Sequence, residues 1–298
     1  MTTGMWHDRR VIVAGGTAGF GLALARHLDA AGARVLIVGR SSEGVRQALA
    51  ACDRKGDAAL FSPCPSRKEL RPLFSRMRGI TADLSRPGEG GRVVGEALRI
   101  LGGVDDLFFC VGRSGRGKIL NTTADELREY FDANVSSAVE ITQAVADDVA
   151  AARGQLVYLG SLAGKLVTPF MGPYCVAKSA LAAYVDAVRL EMAPRGAHVL
   201  LVSPGPIRRD DDDPRAADAT DRYAADVARA GLPEEALRPG GTRALKQLDP
   251  DQLAEQVLAA CVHRRSELVV PRKAGLLAGL IEWFPEWGRR ILARAAHR

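Results

Sequence analysis

Continuous apolar runs alternate with amphipathic stretches over the first two-thirds of the chain. The runs at Arg10–Ala14, Arg34–Val38, Gly79–Ala82, Asp106–Val111, Gln155–Leu159 and His198–Ser203 predict strands, with a late one at Glu267–Val270. Several lack the in-out alternation of a half-exposed sheet, which predicts strands covered on both faces, as in a parallel sheet. Between them, Gly19–Ala31, Ser42–Ala51, Glu89–Leu101, Ala124–Ala152 and Tyr174–Ala193 carry apolar residues at helical spacing. The β-α-β-α order predicts an α/β fold, a doubly wound parallel sheet with helices on both faces. No repeat and no low-complexity linker divides the 298 residues, so one domain over 1–298 is expected.

Three stretches break this rhythm. The connection from Cys52 to Arg78 is long and holds Pro63, Pro65 and Pro72. Pro204–Pro250 is polar, with Arg208 and Arg209 followed by the acidic run Asp210–Asp213, and it contains helix-like pieces at Asp221–Ala230 and Glu234–Leu237. The tail from Ala274 to Arg298 sets Leu276, Leu277, Leu280, Ile281, Phe284, Ile291 and Leu292 near helical spacing beside Arg289, Arg290 and Arg294. Such a tail packs on the body, on another subunit, or at a lipid interface as a peripheral membrane contact. Pro285 interrupts any continuous helix there.

Composition narrows the classes. Hydrophobic residues make up 47% and charged residues 26%, ordinary globular values. The formal charge of +6 suits anionic ligands, but it is scattered and no nucleic-acid-binding pattern accompanies it. The five cysteines have no C-x-x-C spacing and the five histidines no H-x-x-x-H spacing, so neither a disulfide framework nor a metal site is expected. The first ten residues lack the apolar core of a signal peptide, and no apolar run is long enough to span a bilayer. A cytoplasmic location is the expectation.

The first chemical signal is Val11-Ile12-Val13-Ala14-Gly15-Gly16-Thr17-Ala18-Gly19-Phe20-Gly21, a strand running through glycines into a helix. In that context Gly15 permits the tight turn, Gly19 the close approach of a pyrophosphate, and Gly21 close helix–sheet packing. Free N–H groups at the helix start favour phosphate. The second predicted strand ends in Gly39-Arg40-Ser41-Ser42, where an acidic residue would bind an adenosine ribose. Arg40 instead offers a cation to a 2′-phosphate and Ser41 a hydroxyl, which favours NADP(H), with NAD(H) the alternative.

Tyr174 and Lys178 sit one helical turn apart, thirteen residues after Ser161. A fixed ammonium stabilises a phenolate, so this pair suits proton transfer, and a serine hydroxyl can bind the same reacting oxygen. Alone, a Tyr and a Lys at this spacing are common on helix surfaces.

Taken in order, the glycine loop, Ser161, Tyr174 and Lys178 resemble the short-chain dehydrogenase/reductase family, in its compact NAD(P)-dependent branch, over about residues 10 to 207. That resemblance implies a Rossmann-like fold and hydride transfer between a nicotinamide and a carbonyl or secondary alcohol. It implies a catalytic set of Asn134, Ser161, Tyr174 and Lys178: Asn134 in a proton relay, Ser161 on the substrate oxygen, Tyr174 donating the proton. Lys178 would lower the Tyr174 pKa and bind the nicotinamide ribose. It places the cofactor against Gly15, Thr17, Gly19, Phe20, Gly21, Arg40, Ser41, Asp83, Leu84, Gly112, Lys178, Pro204, Gly205 and Ile207. A lid over 204–250, a bulky or lipophilic substrate, and a homodimer or homotetramer paired through Ala124–Ala152 and Tyr174–Ala193 are the further expectations. Departures from the family pattern stand at Ala14, at Phe109-Cys110-Val111 before Gly112, and at Arg209, where a threonine is common. Two rivals are a catalytically silent NAD(P)-binding regulator and a membrane-surface reductase of lipids.

Overall fold

The computed structural model describes residues 3–54, 76–208, 216–237 and 246–296. The chain runs α1 (Thr3–Trp6), β1 (Arg10–Ala14), α2 (Gly19–Ala30), β2 (Arg34–Gly39), α3 (Ser42–Arg54), β3 (Arg78–Thr81), α4 (Glu89–Leu101), β4 (Asp106–Phe109), α5 (Ala124–Phe131) and α6 (Ser137–Ala151). It continues β5 (Gln155–Leu159), α7 (Gly172–Met192), β6 (His198–Pro204), α8 (Ala216–Arg229), α9 (Pro250–Val262), β7 (Glu267–Val270), α10 (Arg272–Trp283) and α11 (Pro285–Ala296). Pro63, Pro65, Pro72, Arg209 and the Asp210–Asp213 run lie outside the described residues.

All seven predicted strands form, in one parallel sheet of order β3-β2-β1-β4-β5-β6-β7. Alternate residues of β1, β2, β4, β5 and β6 feed different cores. Ile12, Leu36, Phe109, Leu156 and Tyr158 meet Val93 of α4, Ile141 and Val145 of α6, and Leu181 and Val185 of α7. Val11, Val13, Ile37, Phe108 and Leu200 meet Leu24 and Leu28 of α2, Leu253 and Val257 of α9, and Trp6. Both faces are thus covered, which explains the unbroken apolar runs. Each fully buried leucine or isoleucine contributes roughly 1.5–3 kcal/mol of transfer free energy.

The expected single helix over Ala124–Ala152 is two helices joined by one turn of π-helix at Asp132–Ser136. Thr123 starts α5 with a reciprocal capping box to Glu126. The buried positions Tyr130, Asn134, Ala138 and Ile141 continue in steps of three and four through the wider turn, so the apolar pattern does not register it. Strand β4 stops two residues earlier than expected. Beyond Phe109, the Cys110 N–H still donates to the Ala14 carbonyl at 2.8 Å, and the chain then turns over the sheet edge.

The tail is two helices broken at Phe284–Pro285, as the proline requires. Helix α10 seats Gly275 against Val269 and buries Ala278, and Gly288 of α11 lies against Ile281. The other face of α10 presents Leu276, Leu280 and Trp283 to solvent, and Phe284 and Trp287 extend that face. Among the described residues, no helix is long and apolar enough to cross a membrane.

Parallel strands put their carboxyl ends on one edge, and the strand order reverses between β1 and β4. That switch point opens a crevice above β1 and β4. The opposite edge is closed by ion pairs. Arg9 grips Asp106 through two N–H donors at 2.5 and 2.8 Å, and Arg10 holds Asp105 by side chain and backbone. A shallow depression of about 530 Å³ beside these pairs is lined by Arg9, Arg10, Gly103, Asp105 and Asp148.

Candidate active site

The glycine loop meets the crevice from β1. Gly15 has φ +80°, a conformation that favours glycine, and a Cβ there would press on the Cys110 backbone at 3.0 Å. Gly19 has φ +51° and open space where its Cβ would be. A Cβ on Gly21 would run into the Gly15 carbonyl, so α2 starts hard against the loop. Phe20 turns inward and is buried with Leu24 and Leu28 in the core, so only its backbone faces the loop. Thr17 packs on Gly39, tying the loop to the end of β2.

Just past that end Arg40 is exposed. The Ser41 hydroxyl accepts from the Gly44 N–H at 3.0 Å and so caps α3. Asp83, beyond β3, accepts from the Ser85 hydroxyl at 2.7 Å and from its N–H at 3.2 Å. Those bonds, chiefly the hydroxyl, hold its carboxyl below the usual range against partial burial, with a smaller pull from Arg40. Leu84 is buried, so its side chain belongs to the core.

The other four residues converge from β4, the π-turn, β5 and α7. Asn134 is fully buried, and its Nδ2 donates to the carbonyls of Tyr130 (2.9 Å) and Arg113 (3.0 Å). Its Oδ1 is buried without a hydrogen-bond partner. A Cβ on Gly112 would meet that Oδ1 at 2.6 Å and the Lys178 Nζ at 3.1 Å, so this glycine lets both polar ends approach one spot. Lys178 is 4% exposed, which excludes the solvated helix lysine that its spacing alone allowed. Its Nζ donates to the Leu159 carbonyl at 2.9 Å and lies 5.9 Å from the centre of the Tyr174 ring. Burial lowers its pKa to about 8, and neighbouring Cys110 opposes that only weakly.

Ser161 accepts from the Ala163 N–H at 3.1 Å, and its side chain lies close enough to the Tyr174 phenol to favour the phenolate. Burial nevertheless pushes the phenol up to about 12, with the neighbouring Ser161 hydroxyl the main opposing influence. The expected lowering of Tyr174 by Lys178 is therefore not the dominant effect on this phenol. The ammonium is committed to a carbonyl and does not touch the phenol oxygen. Cys110, where the family pattern has asparagine, is a thiol pushed up to about 12 by burial, against the pull of Lys178.

Pro204 ends β6, and the Gly205 N–H donates to the Val270 carbonyl at 2.7 Å. Ile207 bridges to Leu248, bringing the two ends of the 204–250 stretch together. The structure thus brings Asn134, Ser161, Tyr174 and Lys178 to one edge with the glycine loop, Gly112 and Pro204–Ile207. Arg40 and Asp83 stand at the β2 and β3 ends of that edge.

Sequence reasoning passed over the segment after Gly112. Ser114 and Arg116 reach helix α8: Ser114 Oγ pairs with the Tyr223 hydroxyl at 2.8 Å, and the Arg116 guanidinium stacks on the Tyr223 ring at 4.0 Å. No motif marks these residues, because the contacts join positions more than a hundred residues apart.

The pieces of this edge fit a dinucleotide. A left-handed glycine opens onto free space at a helix start, and a buried amide oxygen lies beside a buried ammonium with no Cβ between them. Residues 14–237 match the family model described as enoyl-(acyl carrier protein) reductase. The chain is 30% identical over 274 residues to dehydrogenase/reductase SDR family member 7B of Xenopus tropicalis, covering 92% of this chain and 79% of that protein. Against the same-named protein of Danio rerio, identity is 27% over 266 residues, 88% of this chain and 77% of the relative. A solved short-chain dehydrogenase from Streptomyces avermitilis superposes with a TM-score of 0.70 at 23% identity, covering 96% and 99% of the two chains, and supports the fold. The chain belongs to the short-chain dehydrogenase/reductase family of NAD(P)-dependent oxidoreductases.

Proposed function

We propose that this protein moves a hydride between NADP(H) and a carbonyl or secondary alcohol, with Tyr174 as the proton donor or acceptor. The observation that carries this reading is the convergence of Ser161, Tyr174 and the buried Lys178 ammonium on the edge shared with the glycine loop. Bound nicotinamide supplies or accepts the hydride. Everything else falls to the chain. Ser161 and Tyr174 present two hydroxyls to one oxygen. In reduction that oxygen gains negative charge, and Tyr174 hands it a proton. Lys178, anchored on Leu159, holds positive charge beside the phenol that must be recharged. Asn134 turns its free Oδ1 to the same side of Gly112 and offers the proton route an acceptor. The N–H groups at the start of α2 take the pyrophosphate, and exposed Arg40 takes the 2′-phosphate.

Ketones, aldehydes and an enoyl thioester, each offered with NADPH and with NADH, test this reading. The enoyl thioester addresses the reaction named in the matching family model's description. Tyr174→Phe should cut carbonyl turnover by about 10²–10⁴-fold and leave NADPH affinity nearly unchanged. Arg40→Ala should raise the KM for NADPH and spare NADH. Full carbonyl turnover by Tyr174→Phe sinks the assignment.

A second reading concerns where the enzyme works. Leu276, Leu280, Trp283, Phe284 and Trp287 are exposed together, and residues 272–298 hold six Arg or Lys against two Glu. An apolar stripe rimmed by cations suits an anionic lipid surface. Phosphatidylcholine vesicles containing phosphatidylglycerol should sediment the full chain, and the double change Trp283→Ser with Trp287→Ser should release it. If the wild type stays in the supernatant, the tail has another role. We further expect α7 to pair with a second copy through its exposed stripe of Val176, Ala183, Ala187 and Leu190. Light scattering on the eluting protein checks that.

A further inference from the structure

We propose that Tyr223 is the specificity-determining wall of the substrate pocket, and that Arg116 is the positioning residue that holds it over the Ser161–Tyr174 pair. This rests on the oxidoreductase reading above and adds a substrate feature: an apolar substituent on the reacting carbonyl.

The placement follows from the segment 112–118, which is pinned at both ends to the catalytic residues. At one end Gly112 lies against Asn134 and Lys178. At the other, the Gly117 N–H donates to the Phe170 carbonyl at 2.8 Å and Gly117 bridges Met171, three residues before Tyr174. Helix α8 is fastened to the middle of this strap. Ser114 Oγ meets the Tyr223 hydroxyl at 2.8 Å, and the Arg116 N–H donates to Asp226 Oδ2 at 3.0 Å. Gly115 is required between them, because a Cβ there would collide with the Tyr130 hydroxyl and approach Asp226 at 2.8 Å.

Arg116 makes the fastening rigid. It is 4% exposed, its Nε donates to the Ala236 carbonyl at 2.6 Å, and its Cζ sits 4.0 Å over the Tyr223 ring. One buried guanidinium therefore joins the strap, the helix and the short 3₁₀ turn at Glu234–Leu237. A desolvated cation stacked on an aromatic face favours one position of Tyr223. The Tyr174 phenol feels both groups: Tyr223 raises its pKa and Arg116 lowers it, each less than burial and the Ser161 hydroxyl do. The surroundings of Tyr174 are apolar, with Ala163, Met171 and Cys175 buried beside it. An aromatic wall facing such a floor accepts an alkyl or aryl substituent and disfavours a charged one.

The test uses the full chain labelled with ¹³Cζ-tyrosine, which gives five signals. Tyr174→Phe and Tyr223→Phe identify two of them. Tyr223→Phe should also displace the Tyr174 signal at neutral pH and leave Tyr158 and Tyr184 in place. Arg116→Met should displace both the Tyr223 and Tyr174 signals and speed amide exchange over 223–231 by about tenfold, with the strands protected as before. Arg116→Lys, which keeps the charge and loses the planar stack, should recover only part of this. A Tyr174 signal indifferent to Tyr223→Phe overturns the proposal, whatever the turnover. Among butan-2-one, acetophenone and decan-2-one, Tyr223→Ala should shift kcat/KM by about tenfold toward the bulkier ketone. Equal losses on all three overturn the specificity role. If none is reduced while the Tyr174 signal follows Tyr223, the wall stands and the carbonyl reading falls.

Discussion

The two ends of β4 hold buried polar groups treated in opposite ways. At the N-terminal end, Asp106 and Asp105 meet Arg9 and Arg10 in short, multiply hydrogen-bonded pairs. Burial pushes the Asp106 carboxyl up while Arg9 is held more firmly protonated, and the two-pronged geometry favours the ionised pair. At the C-terminal end, a buried ammonium is left with a carbonyl and a thiol for company, and an amide oxygen has no partner. The first end is matched for stability. The second carries unmatched polarity, which costs stability and is available for chemistry.

Lys178→Met tests this contrast most severely. On the carbonyl reading it should lower turnover by roughly 10²-fold or more, yet raise the urea midpoint at neutral pH, because it removes a buried charge. The folded pKa of Lys178, about 8, lies below the ordinary lysine value of 10.5. The unfolded chain therefore binds more protons across that window, and wild-type stability should climb as pH rises from 8 toward 10. The variant should lack that climb. If Lys178→Met unfolds more easily at neutral pH, the contrast fails.

Asp106→Ala should do the reverse. Leaving Arg9 half-buried and unpaired costs about 3 kcal/mol, with turnover per folded molecule unchanged. Denaturation curves read alongside active-site titration separate the two effects. The smallest change is Asp105→Asn, about 1 kcal/mol at neutral pH, since Arg10 is one-third exposed. Burial raises the Asp105 pKa, but the bonds from Arg10 outweigh it and the net direction is down. Its stabilisation is present above the ordinary carboxylate range and is lost as pH falls through the lower folded value. The thermal midpoints of wild type and variant should therefore converge in acid.

What was legible in the sequence had local causes. Apolar runs marked the five inner strands because each of those buries both faces, and the shorter edge strands β3 and β7 followed from the same runs at their margins. The glycine loop gave the crevice because the required backbone shapes need glycine at Gly15 and Gly19. Tyr174 and Lys178 were readable as neighbours on one turn of α7. Their electrostatics were not, because burial comes from β4, β5 and the π-turn together and outweighs the pairwise attraction. The fastening of α8 by Ser114 and Arg116 was invisible for the same reason: each partner is ordinary alone, and only folding brings them together. Ser41 shows a second role that the motif did not announce: its hydroxyl oxygen caps α3.

The widened turn at Asp132–Ser136 sets how far this protein can be altered. It holds one residue of slack between α5 and α6. Removing that residue would let the turn tighten to ordinary α-helix, with Ile141, Val145 and Val149 still facing the sheet. The same slack aims Asn134 at the carbonyls of Tyr130 and Arg113. A point change at Asn134 can silence the site and leave the body standing. A one-residue deletion in the turn would take Asn134 off those carbonyls in the same way, so this turn is where the site can be altered with the core wall left standing.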